Sequence, residues 1–231
     1  MTTAARETRP DTQRLPKPAS DASDLIELFP VTLRLPEVAL TGGPDACEDW
    51  FWAVCMANDE TAWQMELNAK GELELMPPTY LPSDEHEGES FGEVRQWNIG
   101  RGRPGTATGP TSAYRLANGA IRSPDAAWSP QEKVLPPSPD PPRARPYCPD
   151  FVVEIRSTSQ RSLTHLLAKM QEYMDNGAQL GWLIDPLERT VRIYRAGADE
   201  PELLQNPETL DGEDVLPGFI FAVGELIFDL A

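Results

Sequence analysis

Two short apolar runs in this chain each carry a carboxylate: "SPDAAW" at 123–128 holds Asp125, and "PDFVVEIRS" at 149–157 holds Glu154. Ionised carboxylates seldom sit in half-buried strands unless a cation, a hydrogen-bond network or a catalytic task compensates their desolvation. Metal-dependent hydrolysis of phosphodiesters is a chemistry that uses such a pair. Two carboxylates hold Mg²⁺ with open water positions, so that a bound water ionises and the leaving oxygen is neutralised. A nearby lysine then orients the water or stabilises charge on the phosphate.

The pair therefore needs a cation beside it. Arg156, two residues after Glu154, stays protonated and can clamp phosphate, but it is a poor proton acceptor. Lys169 is the better candidate. Residues 162–176 form an apolar stripe at helical spacing through Leu163, Leu166, Met170 and Tyr173, and Lys169 falls on its flank next to Tyr173, where a long side chain reaches a sheet. Gln171 falls on the opposite flank and Glu172 faces away. His165, one turn earlier on the polar side, reads as a solvated histidine.

The surrounding elements must position these groups. Residues 1–46 read as an N-terminal arm, partly disordered because 1–23 are polar, Pro-containing and without period; residues 47–231 read as one domain. Residues 47–59 place Trp50, Phe51, Val54 and Cys55 on one helical stripe. Residues 62–78 alternate around Ala69-Lys70-Gly71 as a hairpin. An acidic first turn after Ser83 favours a helix over 83–100, with Phe91, Val94, Trp97 and Asn98 inward. Residues 112–128 read as two strands about Asn118-Gly119, the second delivering Asp125.

The Pro-rich stretch 129–149 is a surface excursion whose Lys133, Arg143 and Arg145 either touch a phosphate backbone or are simply solvated. Residues 150–157 then form a buried strand, with Phe151, Val153 and Ile155 on one face and Val152, Glu154 and Arg156 on the other. Residues 181–195 form a hairpin turning at Asp185-Pro186, and the tail adds a short strand or two and a helical turn. Together these elements make an α/β fold, a mixed central sheet flanked by helices.

In this order and spacing, "GELELMPP", "RSPDAAW", "PDFVVEIRS", "LLAKMQEYMDNGAQLGWLIDP" and "VRIYR" resemble the Uma-two restriction-endonuclease family, a branch of the PD-(D/E)XK nuclease superfamily, over roughly 47–228. The resemblance implies a restriction-endonuclease-like core with its active site where the sheet opens. It implies Asp125 as the Asp of "PD" and Glu154 as the acidic residue of "(D/E)XK". Arg156 stands where that pattern has Lys, and Lys169 matches a lysine moved to the following helix. A further acidic residue on the first core helix would be Glu87, with Glu89 as the alternative. The implied catalytic set is Asp125, Glu154 and Lys169, and the implied metal ligands are Asp125, Glu154 and Glu87. Mg²⁺, or Mn²⁺ in its place, is the implied cofactor, DNA the substrate, and a homodimer the assembly, since cutting two strands commonly uses paired sites.

Composition bounds these expectations. A net charge of -17 argues against a generic DNA-coating surface. The charge is uneven, however: residues 94–195 carry 14 basic and 9 acidic side chains, whereas 45–93 carry 1 basic and 13 acidic. The segment with both motifs is thus the basic part of an acidic chain, which keeps a polyanionic substrate compatible with it. No apolar run approaches the ~20 residues of a membrane span, and the N-terminus lacks the apolar stretch of a signal peptide, so a cytoplasmic protein is expected. Two functions stay open: a metal-dependent endonuclease using a metal-activated water, and a non-catalytic interaction or regulatory protein on the same scaffold.

Overall fold

A computed structural model describes residues 31–79, 81–136, 143–157 and 163–230. Among them are four helices, α1 (Glu37–Thr41), α2 (Pro44–Ala57), α3 (Ser83–Gly100) and α4 (Leu163–Asp175), and a single π-type turn at Gly224–Phe228. The strands divide between two main sheets and a small pair. The first sheet is built from β1 (Val31–Arg34), β2 (Gln64–Leu67), β3 (Glu72–Met76), β5 (Tyr114–Arg115) and β6 (Ile121–Arg122), in the order β1-β3-β2-β6-β5. The second contains β4 (Gly105–Thr108), β7 (Ala126–Pro130), β8 (Phe151–Ile155), β9 (Leu180–Asp185), β10 (Thr190–Arg195) and β11 (Glu202–Gln205), in the order β11-β10-β9-β8-β7-β4. A further pair, β12 (Leu210–Asp211) and β13 (Ile220–Phe221), stands apart. The fold is mixed α/β, with sheets flanked by helices.

Local chemistry explains the elements that matter for the site. The β2–β3 hairpin turns on Gly71, whose φ of 73° suits a residue without Cβ. The Asn68 side chain fixes the turn by accepting the backbone N–H groups of Lys70 and Glu72. Helix α3 begins at Ser83, but the Ser83 hydroxyl does not cap it; it meets the Ser157 hydroxyl at 3.1 Å instead. The inward face of α3 runs from Ser83, His86, Glu87 and Ser90 to Val94 and Asn98, polar in its first half and partly apolar in its second.

Strands β8 and β9 are the parallel pair of the larger sheet, and α4 lies between them in sequence. A parallel pair needs a crossover, which a helix with an apolar stripe supplies. Phe151, Val153 and Ile155 face a core with Val94, Trp182 and Phe219. Val152, on the opposite face, packs with Leu166, Met170 and Tyr173 of α4. Glu154, of the same parity as Val152, therefore points towards α4.

Two sequence expectations are revised here. Residues 31–46, read as part of an arm, include β1, which pairs with β3 from Val31↔Leu75 to Arg34↔Glu72, and α1, which packs against α2; the folded body includes them. The disordered reading of 1–23 lies outside the described residues. The second strand of 112–128 is also broken: β6 belongs to the smaller sheet and β7 to the larger. Pro124 explains the break, because it cannot donate to a ladder in mid-strand. Asp125 sits at the point where the chain passes from one sheet to the other.

Candidate active site

The break places Asp125 immediately before β7. Ala126 pairs with Val153, so the antiparallel register brings Asp125 opposite Glu154. Asp125 Oδ2 accepts the backbone N–H of Ile155 at 2.7 Å. Both carboxylates are buried, at 1% and 0% exposure. Lys169 reaches them from α4: its Nζ lies 2.7 Å from Glu154 Oε1. The Tyr173 hydroxyl, one turn along the helix, donates to the same Glu154 oxygen at 3.2 Å. Burial and the neighbouring Glu154 charge both push the Tyr173 phenol upward, which keeps it a donor. Asp125, Glu154 and Lys169 thus meet at one point, where the two sheets part beneath α4.

The structure adds a group that the sequence did not offer. Glu66 of β2 is 1% exposed, and its Oε1 accepts from Lys169 Nζ at 2.8 Å and from the Ser123 backbone N–H at 2.9 Å. Lys169 also lies 3.4 Å from the Ser123 carbonyl. Burial alone would raise the Glu66 carboxyl, but Lys169 and Arg122 overcome it and hold the group at about 2. Glu66 is also the direct cross-strand partner of Glu74. Like charges at such a pair repel, and Arg122 of β6 sits between them, its Nη1 3.1 Å from Glu66 and 2.6 Å from Glu74. Arg122 Nε donates to Glu172 of α4 at 2.6 Å. Glu172, read from the helix period as facing away, is a partner in this network. The sequence signal was partial: two carboxylates at matched hairpin positions need a cation, but nothing local names the elements that cover them.

The remaining predicted groups fall in distinct places. Glu87 lies on the buried face of α3 and Glu89 is half-exposed. Arg156 turns to Asp185 at the end of β9, 2.8 Å away. His165 is half-buried rather than solvated, with Nε2 3.7 Å from Glu74. Desolvation lowers its pKa; Glu74 raises it, while Lys169 and Arg122 add to the lowering. The three cations of the Pro-rich excursion meet the protein's own groups: Lys133 pairs with Asp150, Arg143 with Asp49 at 2.6 Å, and Arg145 lies over the Tyr114 ring.

Acidic side chains outnumber the cations here. Glu66, Glu74, Asp125, Glu154 and Glu172 are five clustered carboxylates, against the guanidinium of Arg122 and the ammonium of Lys169. An excess of buried negative charge is costly, and a cation with oxygen affinity relieves it. Among the described residues no three His, Cys, Asp or Glu side chains form a ready-made metal cage.

Mixed sheets flanked by helices define a nuclease-like class of fold. Comparison with known proteins is specific on the point: the profile of the Uma2 family, described as "Putative restriction endonuclease", matches residues 51–224, and the chain belongs to this family. A crystal structure titled as that of a "putative nuclease belonging to DUF820" from Anabaena variabilis ATCC 29413 has a similar fold, with a TM-score of 0.59 at 21% identity, over 71% of this chain and 89% of that one. No curated protein matches the sequence significantly. Among the described residues no helix is long and apolar enough to cross a membrane.

Proposed function

We propose that this chain is a Mg²⁺-dependent endodeoxyribonuclease, active with Mn²⁺ as well, that hydrolyses DNA phosphodiesters. The observation that carries this reading is the meeting of Asp125, Glu154 and Lys169 where the sheets part, with Glu154 and Lys169 2.7 Å apart. Asp125 and Glu154 are the residues that would hold the metal, and Glu87 is a third carboxylate on the buried face of α3. When bound, the cation supplies a water ionised near neutral pH and neutralises charge on the phosphate and leaving oxygen. The protein's own groups do the positioning. Asp125 is fixed by the Ile155 N–H and Glu154 by Tyr173, so neither carboxylate must reorganise before it binds. Lys169, held between Glu154 and Glu66, sets a fixed positive charge beside the two carboxylates.

A homodimer, a cytoplasmic location and DNA as the substrate belong to the same proposal, since double-strand cleavage uses two copies of such a site. One observation favours a second reading, a non-catalytic module on this scaffold: Asp125, Glu154 and Lys169 are all at most 2% exposed and satisfy one another as a structural network would.

Calorimetric titration of Mg²⁺ and Mn²⁺ into the wild type and folded Glu154→Gln, with plasmid nicking on the same samples, separates the readings. The endonuclease binds metal and nicks, and the variant loses both. A wild type that neither binds metal nor nicks DNA refutes the enzyme and leaves the structural network.

A further inference from the structure

Beside the site, the smaller sheet opens a cleft of about 230 Å³. It exists because β2 and β6 pair only at Leu67↔Ile121; before Leu67 on one strand and after Arg122 on the other, the two chains diverge. Trp52, Trp63 and Met65 line the opening, with Asp59, Glu66 and Ser123 also at its wall. Trp63 is 42% exposed. The Trp52 indole N–H is turned to Glu48 at 3.3 Å, so this residue contributes its ring rather than its donor to the wall.

The lining has two carboxylates and no lysine or arginine among the described residues. The Glu66 carboxylate is itself held by Lys169 and Arg122, so the aromatic walls, with no lining cation to meet a phosphate, suit a neutral, flat group. The cleft also shares a wall with the network around Lys169. Glu66 borders it and, with the same Oε1, holds Lys169, which in turn contacts Glu154.

We propose that this cleft receives one unpaired nucleobase of the substrate strand, next to the phosphate at Asp125 and Glu154. The inference rests on the endonuclease reading and narrows its substrate: single-stranded or locally unpaired DNA. A base held in a duplex cannot enter a side cleft without leaving its stack, and an already unpaired base enters at the least cost. Stacking on tryptophan does not depend on base identity, so the cleft selects unpaired structure rather than sequence.

The test uses a ten-nucleotide single strand carrying one 2-aminopurine, a second with an abasic site in its place, and a fully paired duplex, each titrated in EDTA and again in Ca²⁺. The single strand should bind with quenching of the 2-aminopurine, and the duplex should show no quenching. Trp63→Ala should weaken binding of the 2-aminopurine strand about tenfold and remove the quenching. Trp63→Phe should restore most of the affinity, and the abasic strand should bind wild type and Trp63→Ala alike. Equal affinity and quenching in wild type and Trp63→Ala, or no binding in either buffer, overturns the proposal. The two readings fail separately: base quenching without metal binding or nicking keeps the cleft and removes the nuclease, whereas nicking that ignores Trp63 keeps the nuclease and removes the cleft.

Discussion

Replacing Glu66 with glutamine tests the electrostatic account of the site most directly, because the side chain keeps its shape and loses only its charge. In the folded protein Lys169 and Arg122 outweigh the penalty of burial and hold the Glu66 carboxyl at about 2, against an ordinary 4.5. That difference corresponds to about 3 kcal/mol of preferential stabilisation of the ionised form. The group is 1% exposed, so solvent screening takes little from it. The folded pKa lies below the unfolded one; the contribution is therefore fully present above about pH 4.5 and is lost as pH falls towards 2. Urea unfolding of wild type and Glu66→Gln from pH 7 to pH 2.5 reads it out, with equal m-values as the check that both unfold in the same way. Wild type should be more stable by about 3 kcal/mol at pH 7, and the gap should begin to close below about pH 4.5. A gap that stays constant down to pH 2.5 would refute the reasoning, because it would mean that shape or packing, and not the ionised carboxylate between two cations, is what position 66 supplies.

Two other perturbations follow from the same geometry. Arg156 faces Asp185 rather than the Glu154–Lys169 pair, so Arg156→Ala should nick plasmid within about threefold of wild type while losing about 1–3 kcal/mol from the stranded Asp185, and Lys169→Met should abolish nicking; equal losses in single-turnover assays would return Arg156 to the reaction. At Gly105 an added Cβ would lie 2.1 Å from the Ser129 carbonyl and 2.8 Å from the Trp128 ring, so Gly105→Ala should cost about 2–3 kcal/mol and lower the Tm by roughly 5–10 °C in calorimetry.

The parts of the site that were legible in the sequence share a physical property: their cues are local. Alternation in "PDFVVEIRS" assigned Glu154 the parity of Val152, and the 3.6-residue period put Lys169 next to Tyr173 on the side of α4 that meets the sheet. Glu66 and Glu74 were not legible for the complementary reason. Alternation shows that they share a face of the hairpin, but it cannot say what covers that face, and the cover is α4, about a hundred residues later in the chain. A two-stranded hairpin with acidic residues on one side reads as half-solvated, whereas here that side holds Arg122 and Lys169. The passage between sheets at 123–125 was obscured because Ile121 and Ala126 read as one apolar run across it, although Pro124 was the cue.

The sheet passage also explains why so many charges gather here. A chain that leaves one sheet at Arg122 and joins another at Ala126 cannot continue a ladder between them, so backbone groups near the break need other partners. Side-chain oxygens supply two of these: Glu66 takes the Ser123 N–H, and Asp125 takes the N–H of Ile155 on the neighbouring strand. Carboxylates placed for that task arrive buried, and buried carboxylates require cations; Arg122 from β6 and Lys169 from α4 answer the requirement. Each cation in turn joins elements of different parts of the fold, Arg122 the smaller sheet to Glu172 of α4 and Lys169 that same helix to both sheets. The discontinuity that an uninterrupted strand would have avoided thus concentrates opposed charge at a single opening, and the same arrangement that closes the gap between the sheets sets carboxylate oxygens and an ammonium within hydrogen-bonding distance of one another.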